Sequence, residues 1–469
     1  MLFNSIVFVI FAIVFFIGWY LLRNNKSWRW VFLIAASLFF YGWWDWRYVI
    51  LLVGTGFVDY TAAIYMEKHM DRKKLILCVS MLGNLGVLLV FKYLGFAEST
   101  INSLFSLLGI NMSLPVHNLL LPVGISFYTF ESLSYTVDVY RGHCKPTHNI
   151  LKFFSFLSLF PHLVAGPVVR PYDLLPQIEA NKPPTDEQKW DGMRLISHGF
   201  FKKMVIADTL APAVNKAFST VIMNPDGIYW WIVAAMFSLQ IYCDFSGYTD
   251  IARGLAKWMG YEFPINFNHP YISASAKEFW TRWHISLSSW FRDYVYIPLG
   301  GSRNGKFNSH KNMWITMLVS GLWHGAAWHF VAWGALHAFY TSFERITKYP
   351  IHLEKTKFGK FVSVVITMAL VTIAWVFFRA EHISQALTIS KLMLTSFKFD
   401  MGSILSIDKR ALAVCFLMIL WELRVFFGLE GISLKHKFFR VMEPVTIALI
   451  FTACVFLRGN GDAFIYFQF

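Results

Sequence analysis

Charge is scarce in this sequence, and acid is the scarcer part of it. Only 15% of the residues are charged, and 28 carboxylates face 42 lysines and arginines, for a net charge of +14. With 56% hydrophobic residues, a chain of 469 residues has too little polar surface to be read as two or three soluble domains. Cysteine is also sparse. The five (Cys78, Cys144, Cys243, Cys415, Cys454) are widely spaced with no CxxC, and they give no sign of a disulfide framework or a zinc site. No GxSxG occurs, so the nucleophile elbow of a hydrolase is missing. No internal repeat is evident, whereas a transporter with intramembrane polar residues along a solute path would show matching halves. The first apolar run lacks a basic leader and a small-residue cleavage pattern. It reads as a retained span with the N-terminus outside.

What the chain has instead is long apolar runs, and its mean hydropathy is +0.48. Spans are expected at Leu2–Leu22, Trp30–Trp44, Tyr48–Met66, Leu75–Phe96, Leu119–Tyr140, Ala207–Ile222, Tyr229–Ile251, Phe361–Phe378, Leu412–Phe427 and Val445–Phe456. The basic residues fall mostly in short connections such as Arg23–Arg29 and Glu67–Lys74. There they set topology and meet anionic lipid head groups, and nucleic acid is not an expected partner. Phe153–Val169, with Pro161, Gly166 and Pro167, has the pattern of a broken or re-entrant helix. Ala252–Lys311 holds eight Lys/Arg against three Asp/Glu, interleaved with aromatics, and reads as interfacial helix along the cytoplasmic face. Gln240 with Asp244, and Asp250 with Arg253, are helical neighbours able to satisfy each other locally. Glu131 and Asp138 read as structural polar groups.

The chain is organised around Trp314–Phe343, an apolar run carrying His324, His329 and His337. Ionisable groups at membrane depth are costly and face a protein interior or a water-filled cavity. On one helix, His329 lies about 140° and His337 about 220° round the wheel from His324. Metal ligands on one helix repeat at i, i+4, so no metal is expected. Gly321 and Gly325 place a small-xxx-small spacing beside His324, which predicts a tight helix–helix contact there. His329 and His337 read as histidines satisfied by hydrogen bonds between packed helices. The run counts either as one crossing or as a re-entrant pair, and the second keeps the later basic loops Arg345–Lys360 and Lys435–Arg440 inside.

Six motifs in order carry a family resemblance: LPVGISFYTFESLSYTVDVYRG (Leu121–Gly142), FPHLVAGPVVRP (Phe160–Pro171), IYCDFSGYTDIARG (Ile241–Gly254), FWTRWHISLSSWFRDYVYIPLGG (Phe279–Gly301), GLWHGAAWHFVAWG (Gly321–Gly334) and WVFFRA (Trp375–Ala380). Over nearly its whole length the chain resembles the membrane-bound O-acyltransferases, and among them the bacterial alginate O-acetyltransferase branch. The resemblance implies an all-α polytopic fold of roughly 11 transmembrane helices, with re-entrant and interfacial helices, ringed around a central tunnel. It implies one acyltransferase domain over 1–469, with N-terminal spans at 1–96, a core at 119–343 and C-terminal spans at 361–469. It also implies two functional histidines, matching His324 and His284. It further implies acetyl-CoA drawn from the cytoplasm, an extracytoplasmic partner protein, an exported polysaccharide as final acceptor, and a home in the bacterial inner membrane.

Chemistry gives these residues roles. A thioester is already activated, so transfer to a hydroxyl needs a base and an orienting group. Neutral imidazole suits the first task because its ordinary pKa lies near operating pH. His324 is the expected base, or a transient acetyl carrier, and His284 the group that orients the thioester. Lys277, Arg282, Arg292 and Arg303 are candidate partners for the CoA phosphates; topology and lipid contact is the plainer reading of each. Within the family, D-alanyl transfer from a carrier protein is the rival reaction.

Overall fold

The computed structural model describes residues 1–220, 224, 226–303, 305–397, 400–429 and 437–459. Ile222, the start of the Lys435–Arg440 loop and the last residues of the C-terminal spans lie outside them. Among the described residues every regular element is helical, mostly α with short π and 3-10 turns. Four helices among the described residues are long and apolar enough to cross a membrane: Arg47–Lys68, Lys73–Leu107, Gly227–Met259 and Lys357–Arg379. Shorter apolar helices occupy Ile6–Leu22, Trp28–Gly42 and Met442–Phe456. The chain forms two compact units, one of Met1–Met193 with Ile251–Pro264 and one of Arg194–Asp250 with Ile265–Phe469.

In the first unit, Phe8, Phe11, Phe15 and Trp19 recur on one face of Ile6–Leu22 and are buried. Phe160 meets this stripe edge-on, at 5.3 Å from Phe11 and 4.9 Å from Phe15. The expected broken segment is present as Ile150–Leu157 and Phe160–Leu163, followed by non-helical backbone. Gly124 approaches it at φ +76°, where a Cβ would lie 2.7 Å from the Leu163 carbonyl oxygen. Two buried carboxylates here are paired, as an apolar interior requires. Asp59 accepts from the Asn84 amide at 2.8 and 2.9 Å and from the Ser80 and Ser132 hydroxyls. Glu131 lies 2.8 Å from His162.

In the second unit Lys203 bridges Asp208 and Asp244 at 2.8 and 2.9 Å, and Lys202 meets Asp250 at 2.7 Å. Asp244 and Asp250 thus take charged partners from the π-turn Phe201–Ala207, a tertiary solution that helical spacing did not show. Cys243, Cys415 and Cys454 are buried thiols, Cys78 is exposed, and none of the five is bonded to another.

The organising apolar run is two helices, not one. Gly305–His324 ends at His324, and Trp328–Thr347 begins four residues later. The two pack backbone to backbone. A Cβ on Gly321 would lie 2.3 Å from the Phe330 carbonyl oxygen, and one on Gly334 would lie 2.4 Å from that of Met317. The tight contact beside His324 is therefore present, whereas the wheel angles that assumed a single helix do not apply. The basic aromatic stretch also departs from expectation. It is not one interfacial helix but the short helices Ala276–Arg282 and Ile285–Phe291 with a π-turn, and Phe279, Trp283 and His284 within it are fully buried. Gly321→Val is expected to destabilise the protein by roughly 1–3 kcal/mol or more, through overpacking against backbone that cannot yield. Thermal unfolding of the purified variant in detergent, compared with the exposed-helix control Val319→Ala, checks this.

Candidate active site

His284 is held in place from the backbone outward. Ser275 caps helix Ala276–Arg282 by accepting from the Glu278 N–H at 3.0 Å, while the Glu278 carboxylate accepts from Ala274 N–H at 2.8 Å. Glu344, reaching over from Trp328–Thr347, accepts from the Ala276 and Lys277 amides at the same helix start, where a carboxylate complements the helix dipole. The chain then turns sharply: His284 sits at φ +41°, ψ +54°, a left-handed conformation rare for a side-chain-bearing residue, and opens helix Ile285–Phe291. The polypeptide accepts that geometry because Asn266 ties it down. Asn266 O accepts from Ile285 N–H at 2.9 Å. Its side-chain Oδ1 accepts from Ser286 N–H at 3.2 Å, from Ser286 Oγ at 2.9 Å and from His284 Nδ1 at 3.1 Å. A backbone N–H can only donate, which fixes Oδ1 as the acceptor and puts the His284 proton on Nδ1. The ring lone pair then lies on Nε2.

The surroundings of His284 are apolar. Phe245 stands edge-on at 4.6 Å and Trp323 at 6.3 Å. His284 lies outside the membrane-spanning helices, and burial pushes its imidazole down to about 3, so it is neutral near pH 7.

His324 is 4% exposed and closes its helix among rings: Trp323 at 5.0 Å, Trp333 at 4.9 Å and Phe378 at 5.3 Å. Trp323 thus touches both candidate histidines. His329 is a packing residue, with Nδ1 3.0 Å from the Phe377 carbonyl oxygen, so its proton goes to that carbonyl. His337 differs from the expected hydrogen-bonded histidine. It is fully buried among Phe279, Trp280, Trp333 and Tyr340, and neither ring nitrogen has a hydrogen-bond partner among the described residues.

A cavity of about 340 Å³ lies beside this cluster. Trp280, Phe291 and Tyr296 supply rings, Met313 and Met317 thioethers, and Ser288, Ser289, Thr316 and Ser320 hydroxyls; Arg292 and Arg345 add guanidinium groups. Ser320 precedes His324 by one helical turn, on the same face. Trp280 also packs on Trp333, the ring against His324. Of the four basic residues singled out from sequence, Arg292 lines this cavity, exposed and 2.7 Å from Asp293. Arg282 is bound to Glu278 at 2.8 Å and to the Asn268 carbonyl at 3.2 Å, and Lys277 and Arg303 are exposed elsewhere. Sequence reasoning passed over Asn266, Ser320 and Arg345. Asn266 carried one usable signal, an amide set between aromatics in EFPINFNHP. Ser320 was legible as His324's neighbour one turn back.

The family model for membrane-bound O-acyltransferases matches residues 138–382, which includes both histidines, and the chain belongs to that family. It is an acyltransferase of the membrane. Among curated proteins it is similar to the probable alginate O-acetylase AlgI of Pseudomonas putida, 36% identical over 495 aligned residues covering 100% of both chains. It is 39% identical to that of Pseudomonas aeruginosa over 92% of this chain and 82% of the relative. The peptidoglycan O-acetyltransferase of Helicobacter pylori is 32% identical over 84% of this chain and 80% of the relative.

Two outcomes follow from the His284 geometry. Asn266→Ala is expected to lower kcat by roughly 10- to 100-fold, with KM little changed, since it frees the ring without removing it; steady-state acyl transfer measures this. Acid should also destabilise the fold through His284. Above about pH 6.5 the ring is neutral in both folded and unfolded chains and contributes no pH dependence. As pH falls from there toward 3, the unfolded chain takes up a proton that the folded one cannot, and stability declines. The drop in Tm between pH 7.5 and pH 5 is expected to be smaller in His284→Gln than in the wild type.

Proposed function

We propose that this enzyme transfers an acetyl group from cytoplasmic acetyl-CoA to an acceptor for O-acetylation of an exported polysaccharide, in the inner membrane of a bacterium. The observation that supports this reading most directly is the pairing of two buried histidines against Trp323, beside a cavity whose mouth carries Arg292 and Arg345. An anionic, pantetheine-linked thioester suits such a cavity: guanidinium groups for phosphate, and thioethers, rings and hydroxyls for the arm. The relatives named as alginate O-acetylases and as a peptidoglycan O-acetyltransferase support a glycan as the final acceptor. An extracytoplasmic protein would carry the acetyl group onward. In this reading further helices, beyond the four long and three shorter apolar ones, bring the crossings to roughly eleven around a tunnel.

In the proposed step His324 takes the proton of the acceptor hydroxyl as its oxygen attacks the thioester carbonyl. The tetrahedral intermediate collapses, the C–S bond breaks, and the leaving thiolate recovers the proton from the imidazolium. His284, with its lone pair on Nε2 and its ring locked by Asn266, positions the thioester end of the donor through a bound hydroxyl, amide or water. A neutral ring suits that role in an apolar pocket better than a buried cation.

Purified enzyme with radiolabelled acetyl-CoA tests this. His324→Ala at unchanged expression is expected to lose roughly 10²- to 10⁴-fold in CoA release. Arg292→Ala with Arg345→Ala is expected to raise KM for acetyl-CoA about tenfold with kcat retained, and to leave KM for a dephosphorylated donor unchanged. Full activity in His324→Ala refutes the assignment. Label accepted only from an acyl-carrier protein would shift the reaction to the D-alanyl type of the similar teichoic acid D-alanyltransferase of Bacillus subtilis.

A further inference from the structure

A second crevice, of about 300 Å³, opens in the same unit between helices Gly227–Met259, Lys357–Arg379 and Lys409–Phe426. Its walls are aliphatic and aromatic, with Leu239, Ile272, Val364, Met368, Ile419 and Phe426 the main contributors. Its rim is hydrocarbon too: Val365 is 51% exposed, Ile419 42% and Phe361 37%, and Lys357–Arg379 is one of the helices long and apolar enough to cross a membrane. In a bilayer such a rim meets acyl chains rather than water.

One lining group is a carboxylate; the other polar side chains in the lining are the hydroxyls of Ser238, Tyr271 and Thr372. That carboxylate is Glu422, which is 7% exposed. Its Oε1 lies 3.3 Å from Nδ1 of His269, a residue held at φ +45°. Its Oε2 is buried and has no hydrogen-bond partner among the described residues. His269 meets the carboxylate at Oε1 alone. Lys202 is engaged with Asp250 at 2.7 Å, and the Arg424 guanidinium sits over the Trp421 ring at 5.1 Å. A buried carboxylate in lipid surroundings requires a cationic or hydrogen-bonding partner.

The position of Glu422 shows what that partner is attached to. It lies four residues from the end of Lys409–Phe426, about 6 Å along the axis, and Phe361 lies equally close to the start of Lys357–Arg379. The carboxylate is therefore near the level where a span meets the head groups. From Phe361 to Thr372 the wall runs inward for about 16 Å, a length suited to a fatty acyl chain. A polar end near the interface and a greasy trough below it match one molecule from end to end.

We propose that this crevice is a binding site for an amine-headed phospholipid, phosphatidylethanolamine, with its ammonium on Glu422 and one acyl chain along the Val364–Met368 wall. The ammonium supplies N–H donors and a positive charge to the Glu422 carboxylate, which lines the crevice. An anionic head group would bring negative charge against the carboxylate, and a choline head offers no N–H. This site is separate from the donor cavity, which no residue of it lines.

Native mass spectrometry of the full-length protein, delipidated in mild detergent and titrated with lipids of matched chains, tests the proposal. Phosphatidylethanolamine is expected to bind at least tenfold more tightly than phosphatidylglycerol, and that preference is expected to vanish in Glu422→Gln. In the wild-type protein alone, N-acylating the ethanolamine, which turns the ammonium into an amide, is expected to remove the preference as well, so the test holds even if Glu422→Gln does not fold. Equal binding of the two lipids overturns the proposal, as does a preference that survives N-acylation. Competition by soluble phosphoethanolamine at the same concentration would overturn the lipid assignment, because it would show that the apolar walls contribute nothing.

Discussion

One amide oxygen sets the geometry on which the proposed chemistry depends. Oδ1 of Asn266 gathers three donors from His284 and Ser286, and each constrains something different. The backbone N–H fixes the turn, the hydroxyl fixes the first turn of the following helix, and the imidazole N–H fixes the tautomer. In water these bonds would compete with solvent and count for little. In a site where Asn266 and His284 are wholly buried, losing any of them leaves a stranded polar group, so the arrangement is enforced.

The second constraint is the approach of two backbones at Gly321 and Gly334. It places His324 at the end of one helix and Trp333 on the face of the other, so that the imidazole is enclosed by Trp323, Trp333 and Phe378. Larger residues at either glycine would push the helices apart and enlarge the enclosure before they touched any reacting atom. Steric fit between main chains, rather than a polar contact, therefore controls the apolar character around the proposed base.

The sequence made the membrane class, the broken segment around Pro161 and the close contact at Gly321 legible, because each is written in local composition and spacing. It left three things obscure. Gly325–Ala327 interrupts the apolar run with no change of hydropathy, so hydropathy alone left one crossing and a re-entrant pair both open. The stretch around His284 carries the charge and aromatic content of an interfacial helix, yet its ends are fixed by Asn266 and Glu344, residues 18 positions before and 60 after, which periodicity does not register. The partners of Asp244 and Asp250 likewise come from a π-turn some forty residues upstream. Pairings between distant segments are tertiary facts, and they are where the functional geometry resides.

The left-handed backbone at His284 has a consequence for how this position tolerates change. A residue with a Cβ in that region costs about 1–2 kcal/mol that glycine does not pay. Glycine would relieve that strain, but it would also empty a wholly buried ring site beside Phe245 and remove the imidazole donor that Asn266 Oδ1 receives. The position balances a strained backbone against a filled interior, with the fold carrying a standing penalty for its imidazole.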